Sequence, residues 1–173
     1  AVSATQVVTV NDTIAPVFSV TPQPVLAVDC IGLVPLPETV TATDNCGPVP
    51  VQFTETVTDS ICENQMTITR TWTAVDLCGN AVSATQVVTV NDTIAPVFVN
   101  VPKDTLLTCL SAIPPAAAIT VVDNCGQTDI RFSEFTSDSI CVNQFKLTRI
   151  WTATDNCGNS SSVVQIITVD DTI

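Results

Sequence analysis

Residues 66–74 read MTITRTWTA, and the strict alternation within that stretch sets the fold class. Met66, Ile68, Arg70, Trp72 and Ala74 fall on one side of an extended chain; Thr67, Thr69, Thr71 and Thr73 fall on the other. Successive strand side chains point to opposite faces, so a period of two predicts a half-buried strand with a threonine-covered outer face. The same period runs through Val49, Val51, Phe53, Glu55 and Val57, and through Val82, Ala84, Gln86, Val88 and Val90. It returns at Ile130, Phe132 and Glu134 and at Phe145, Leu147, Arg149, Trp151 and Ala153. Helical periodicity is scarce. Turns are expected at Asp44-Asn45-Cys46-Gly47 and Asp76-Leu77-Cys78-Gly79-Asn80, where Gly and Asn tolerate left-handed backbone. The proline-spaced stretches 20–37 and 99–115 suit edge strands and irregular crossings. About seven short strands per unit are most simply an immunoglobulin-like β-sandwich.

The units repeat. Residues 1–14 (AVSATQVVTVNDTI) recur letter for letter as 81–94. Cys30, Cys46, Cys62 and Cys78, each sixteen residues from the next, return seventy-nine residues on as Cys109, Cys125, Cys141 and Cys157. A fixed period of this kind marks a tandem array. The expected organisation is residues 1–10 as the last strand of a preceding repeat, 11–90 and 91–169 as two repeats, and 170–173 as a linker to a following one. The fold class expected is all-β, with tandem immunoglobulin-like β-sandwich repeats and two disulfides per repeat.

Five Lys plus Arg against seventeen Asp plus Glu give a net charge of −12 and a pI near 4.1. Such a surface repels nucleic acid and anionic lipid and attracts divalent cations, so neither nucleic acid nor direct membrane insertion is expected. No stretch approaches the ~20 apolar residues of a membrane span. No basic, apolar leader opens the chain, and export is expected to be signalled elsewhere in a parent protein. Eight cysteines at regular spacing favour an oxidising compartment and a disulfide framework. A zinc site would need short Cys-x-x-Cys pairs and usually His, and the chain has neither. Without His, and with the cysteines used as bridges, hydrolase chemistry has almost nothing to work with, so an enzyme is not expected.

Within each set of four cysteines three pairings are conceivable. Cys46 and Cys62 flank an uninterrupted strand, which at about 3.3 Å per residue separates them by roughly 30 Å. Cys62 and Cys78 flank another. A disulfide needs Cα atoms within about 7 Å, so adjacent cysteines cannot close. The expectation is Cys30–Cys62 with Cys46–Cys78, and Cys109–Cys141 with Cys125–Cys157. Glu55 and Arg70 sit on the apolar faces of their strands, and Glu134 and Arg149 repeat them. An unpaired charge there would be costly, so each Glu is expected to meet its Arg across neighbouring strands as a structural pair. Trp72 and Trp151 alternate in phase with core residues, which favours burial over a carbohydrate-stacking role.

The segment RTWTAVDLCGN at 70–80, repeated as RIWTATDNCGN at 149–159, resembles the RTWTATDxCGN signature of HYR-like (hyalin-repeat-related) modules. TATDNCG at 41–47 and the linker VTVNDTIAPVF at 88–98 are similar to the four-cysteine form of that module; VVDNCG at 121–126 departs from it while keeping the Asp. The resemblance covers the whole chain. It implies an immunoglobulin-like fold and an extracellular, cell-surface setting in giant adhesins of Bacteroidetes, including those of gliding motility and type IX secretion. It brings no catalytic residues. The role expected is a structural stalk that spaces a distal adhesive region from the cell, with neighbouring repeats of the same chain as partners. The alternatives are a module adhering to surface glycans or cell-surface proteins, and a subunit of an extracellular filament.

Two further expectations concern the linkers. In a sandwich of this topology Asp12 approaches Asp44 and Asp76, and Asp92 approaches Asp123 and Asp155, giving three carboxylates suited to calcium. The competing reading is that the turn aspartates cap their own turns through Asx hydrogen bonds. Asp followed by Ser or Thr and an apolar residue resembles a bacterial periplasmic O-glycosylation motif. It makes Thr13, Ser60, Thr93, Thr105, Ser139 and Thr172 glycan candidates and the chain a prospective glycoprotein.

Overall fold

A computed structural model describes residues 1–108, 112–141 and 144–170. The chain is all-β, with thirteen strands among the described residues and one 3-10 turn at Ile31–Leu33. In the first repeat β1 (Val17–Phe18), β3 (Ala42–Asp44) and β4 (Gly47–Val49) form one sheet. A second sheet runs in the order β2 (Val25–Val28), β7 (Ala81–Asn91), β6 (Gln65–Val75), β5 (Val51–Cys62). The second repeat pairs β8 (Val97–Val99) with β10 (Thr120–Val122). Its larger sheet runs β11 (Thr128–Cys141), β12 (Gln144–Asp155), β13 (Ser160–Asp170), β9 (Thr105–Leu107). β12 is antiparallel to both long neighbours, and β9 lies parallel to β13.

The period of two read from residues 66–74 is the burial pattern of β6. Ile68, Arg70, Trp72 and Ala74 are buried and the threonines between them are not. β12 repeats this with Phe145, Leu147, Arg149, Trp151 and Ala153. Phe145 and Leu147 pack with Ile167 and Val169 of β13, and Leu107 and Ile113 close over them. Burying side chains of that size contributes roughly 1.5–3 kcal/mol each. Both tryptophans are in the core, and Trp72 Nε1 donates to the Glu38 carbonyl at 3.3 Å.

Two elements behave differently from their sequence pattern. β5 alternates but stays exposed from Gln52 to Ile61, because it ends its sheet and the other sheet of that repeat has strands of only two or three residues. Phe53 stacks on Trp72 with ring centroids 5.2 Å apart yet remains 40% exposed. Residues 1–10 carry the letters of β7 but form no strand and are exposed throughout. β7 lies between β2 and β6, whereas its copy has no flanking strand among the described residues, and an unpaired strand leaves its backbone groups to water.

Two compact units emerge, and they do not coincide with the sequence repeats. One comprises Ala1–Ala27, Val34–Asp59 and Thr67–Thr89. The other comprises Val90–Ile173 together with Val28–Leu33 and Ser60–Met66, two segments of the first repeat. Those two segments carry Cys30 and Cys62.

Candidate functional site

Each repeat builds its Asp-x-Cys-Gly turns in the same way. Asp76 Oδ1 accepts from the backbone N–H groups of Cys78 and Asn80, both at 2.8 Å, and its Oδ2 accepts from Asn80 Nδ2 at 2.7 Å. Asp155 does the same for Cys157 (2.8 Å), Asn159 (2.9 Å) and Asn159 Nδ2 (2.8 Å). Gly79 and Gly158 follow with φ of 90° and 89°, a left-handed backbone that suits glycine. Asp44 and Asp123 hold the companion turns through the N–H groups of Cys46 and Cys125, at 3.0 and 2.9 Å. Asn80 and Asn159 reach back to the linkers, donating to the carbonyls of Asp12 (3.2 Å) and Asp92 (3.1 Å). The turn aspartates therefore all make Asx bonds. Desolvation pushes the Asp76 carboxyl up, but the donors on Asn80, Cys78 and Gly79 outweigh it and hold the group below the usual carboxylate range.

In the second unit these turns carry disulfides. Cys30 is bridged to Cys125 and Cys62 to Cys157, with Cα separations of 5.2 and 5.3 Å. This corrects the expected pairings Cys30–Cys62, Cys46–Cys78 and Cys125–Cys157. Among the described residues no bridge joins adjacent cysteines of one set, but each bridge joins cysteines of different sets. The first and third cysteines of one repeat meet the second and fourth of the next. Cys46 and Cys78 are exposed thiols. The pairing Cys109–Cys141 falls on Cys109 and the Cys141 side chain, which lie outside the described residues.

Asn64 was not anticipated. It is 4% exposed; its Oδ1 accepts from Ile31 N (2.8 Å), its Nδ2 donates to Cys125 O (3.3 Å), and its carbonyl accepts from Asp92 N (2.9 Å). It thus ties both first-repeat segments to the linker and the Cys125 turn. A signal existed: Asn64-Gln65 follows Cys62 as Asn143-Gln144 follows Cys141, and a buried Asn must find partners.

The acidic sets are brought together unequally. Asp92, Asp123 and Asp155 each offer a carboxylate oxygen within 4.8 Å of the others, and Asp92 and Asp155 are buried. Asp123 Oδ2 is buried without a hydrogen-bond partner. In the first repeat Cys46 Sγ lies with the Asp12 and Asp44 carboxylates within 4.8 Å, and Asp76 lines the same cleft outside that group. A thiol is a soft ligand and a poor one for calcium. A hydrogen bond to Asp12, then desolvation and the charges of Asp12 and Asp44, push the Cys46 thiol pKa up.

The ion pairs lie within each repeat. Arg70 Nε is 2.8 Å from Glu55 Oε2, and Arg149 Nε 2.6 Å from Glu134 Oε2, with Glu134 and Arg149 directly opposite in the ladder. Each guanidinium is 5% exposed and each carboxylate 38%. Arg70 also donates to Pro35 O and Gln86 Oε1, and Arg149 to Pro114 O and Pro115 O. Among the glycan candidates Thr13, Ser60, Thr93 and Thr105 are exposed; Thr172 and the Ser139 side chain lie outside the described residues.

A family model described as an HYR-like domain with 4 cysteines matches residues 18–90 and again 97–169. The chain belongs to this family. Each HYR-like match contains one full set of four cysteines, and the bridges seen here run from one HYR-like repeat to the next. No curated protein matches the chain. Among the described residues no helix is long and apolar enough to cross a membrane.

Proposed function

We propose that this tandem HYR-like chain is a non-catalytic segment of an extracellular structural stalk. The observation that carries the reading is the crossed pair Cys30–Cys125 and Cys62–Cys157. Cys62 lies thirty-two residues past Cys30, and Cys157 thirty-two past Cys125. Between Cys30 and Cys157 tension then divides over two covalent arms of equal length, each one thirty-two-residue segment plus one disulfide. Such doubling suits a load-bearing element, and disulfides persist in oxidising surroundings outside the cytosol. Surface anchoring, an adhesive tip and glycans on the exposed Asp-Thr and Asp-Ser motifs belong to the same reading. Scattering from chains of two, four and six repeats tests it: a stalk requires the maximum dimension to rise linearly with repeat number. Growth as the square root would remove the stalk reading.

A hard divalent cation, calcium by its fit, at Asp92, Asp123 and Asp155 extends this proposal. The supporting observation is the buried, unpartnered Asp123 Oδ2 beside two further carboxylates. An all-oxygen donor set of three carboxylates suits calcium. Lateral assembly is the second reading, favoured by Phe53, Val57 and Ile61 on β5 and by Ile130, Phe132 and Phe135 on β11, exposed on strands that end their sheets. Sedimentation at rising concentration distinguishes it from a monomeric stalk.

A further inference from the structure

The pole of the first repeat that holds Cys46 and Cys78 has the construction of a pole that is already bridged in the second. Cys46 and Cys78 are the positional equivalents of Cys125 and Cys157, seventy-nine residues earlier. Their N–H groups bond Asp44 and Asp76 at 3.0 and 2.8 Å; those of Cys125 and Cys157 bond Asp123 and Asp155 at 2.9 and 2.8 Å. The linker contact from Asn80 to Asp12 O is 3.2 Å, against 3.1 Å from Asn159 to Asp92 O. The receiving geometry therefore exists before anything is received.

What differs is the occupant. Around Cys125 a cleft is lined by Asp123, Asn124 and Gly126 on one side and by Cys30, Ile31, Leu33, Glu63 and Asn64 of the preceding repeat on the other. Around Cys46 and Cys78 a cleft is lined by residues of the first repeat's own pole, Asp12, Asp44, Pro48 and Leu77 among them, together with Val10. Leu77 is fully exposed, and both thiols are exposed and unbridged. Residues 1–10 have the sequence of β7, the strand that leads out of one repeat into the next.

We propose that the Cys46–Cys78 pole is a covalent docking site for a further repeat of the same kind, placed ahead in the chain and presenting the cysteines equivalent to Cys30 and Cys62. The first of these bonds to Cys46 and the second to Cys78. Each bridge forms one S–S bond from two S–H groups and releases two protons and two electrons. A small-molecule or protein disulfide takes up the electrons by thiol–disulfide exchange and becomes two thiols, so two bridges consume two such oxidants. The site rests on the bridging pattern and not on the stalk reading, since repeats stapled in this way could serve adhesion as well.

The test adds a copy of residues 11–80, with the copy's own Cys46 and Cys78 changed to Ser, ahead of Ala1, so that the copy and residues 1–10 make one more complete repeat. The extended and original chains are oxidised with a glutathione redox pair, alkylated and mapped without reduction. In the extended chain Cys46 is expected on a peptide linked to the copy's Cys30, and Cys78 on one linked to the copy's Cys62, both protected from alkylation. In the original chain both alkylate. Changing Cys30 and Cys62 of the copy to Ser should restore alkylation at Cys46 and Cys78. The Cys30–Cys125 and Cys62–Cys157 peptides report correct folding in the same digest. Their presence with Cys46 and Cys78 joined to each other, or still alkylatable, overturns the proposal. Their absence overturns it as well, because the template for the site is then gone.

Discussion

Cys30 and Cys125 are separated by 95 positions in the chain and by 5.2 Å between Cα atoms, and they carry one of two bridges that link successive repeats. In the entropic view, closing so long a loop restricts the unfolded chain by about 4–5 kcal/mol. Beyond stability, each bridge fixes where an external force can travel.

Pulled from its two ends without reductant, the molecule should extend as though the 95 residues spanned by one bridge were missing. Reduction should release roughly 300 Å of additional contour, at about 3.3 Å per residue. Single-molecule force measurements with and without reductant read this directly. Opening one bridge alone, through Cys62→Ser with Cys157→Ser, should release nothing, because the remaining arm has the same length.

Asn64→Ala should cost about 1–3 kcal/mol, since Ile31 N and Cys125 O both lose a partner at a largely buried position. Hydrogen exchange is the informative readout. Protection should fall at Ile31 N, while β6 retains its protection.

Glu55→Gln should weaken the hold on a guanidinium that is 5% exposed, destabilising the first repeat by roughly 1 kcal/mol given the solvent access of the carboxylate. Arg70→Met should cost more, because Pro35 O and Gln86 also lose their donor. A denaturant double-mutant cycle on the pair should give coupling below the larger single effect.

Asp76 titrates below the usual carboxylate range because the turn's donors outweigh desolvation. A depressed folded-state pKa contributes stability that is present above the unfolded value of about 3.9 and lost as pH falls through the folded one. The Asp76–Asn80 turn should therefore hold at pH 5 and loosen below about pH 4. Carboxyl chemical shifts followed on acid titration check this, and Asp76→Asn should remove the acid-dependent step at this turn.

Calcium at a hundred times its dissociation constant should add about 2.7 kcal/mol to the second repeat, raising its melting temperature by roughly 10–20 °C over the chelated protein. Asp123→Asn should abolish that response. In chelator the same change should be neutral or stabilising, because a buried carboxylate oxygen without a donor is removed. An identical melting curve with and without chelator removes the cation from the proposal.

Residues 66–74 already contained the core of β6, because alternation in an extended chain decides which side chains can be buried together. The placing of Glu55 beside Arg70 was equally legible, since a charge on an apolar face has few ways to be satisfied. The repeat was visible in the letters themselves, as was the impossibility of joining neighbouring cysteines across a rigid strand. Identical letters nevertheless behave differently at 1–10 and at 81–90: hydrogen bonds in a sheet are made with other strands, and those partners are not encoded in the segment. The partner of each cysteine was likewise beyond one-dimensional reading. Bond formation depends on sulfurs meeting within a few ångströms in space, and spacing within a repeat says nothing about which turn of the next repeat comes near. Only the packing of Val28–Leu33 and Ser60–Met66 into one unit with Val90–Ile173 decided that Cys30 meets Cys125 and Cys62 meets Cys157.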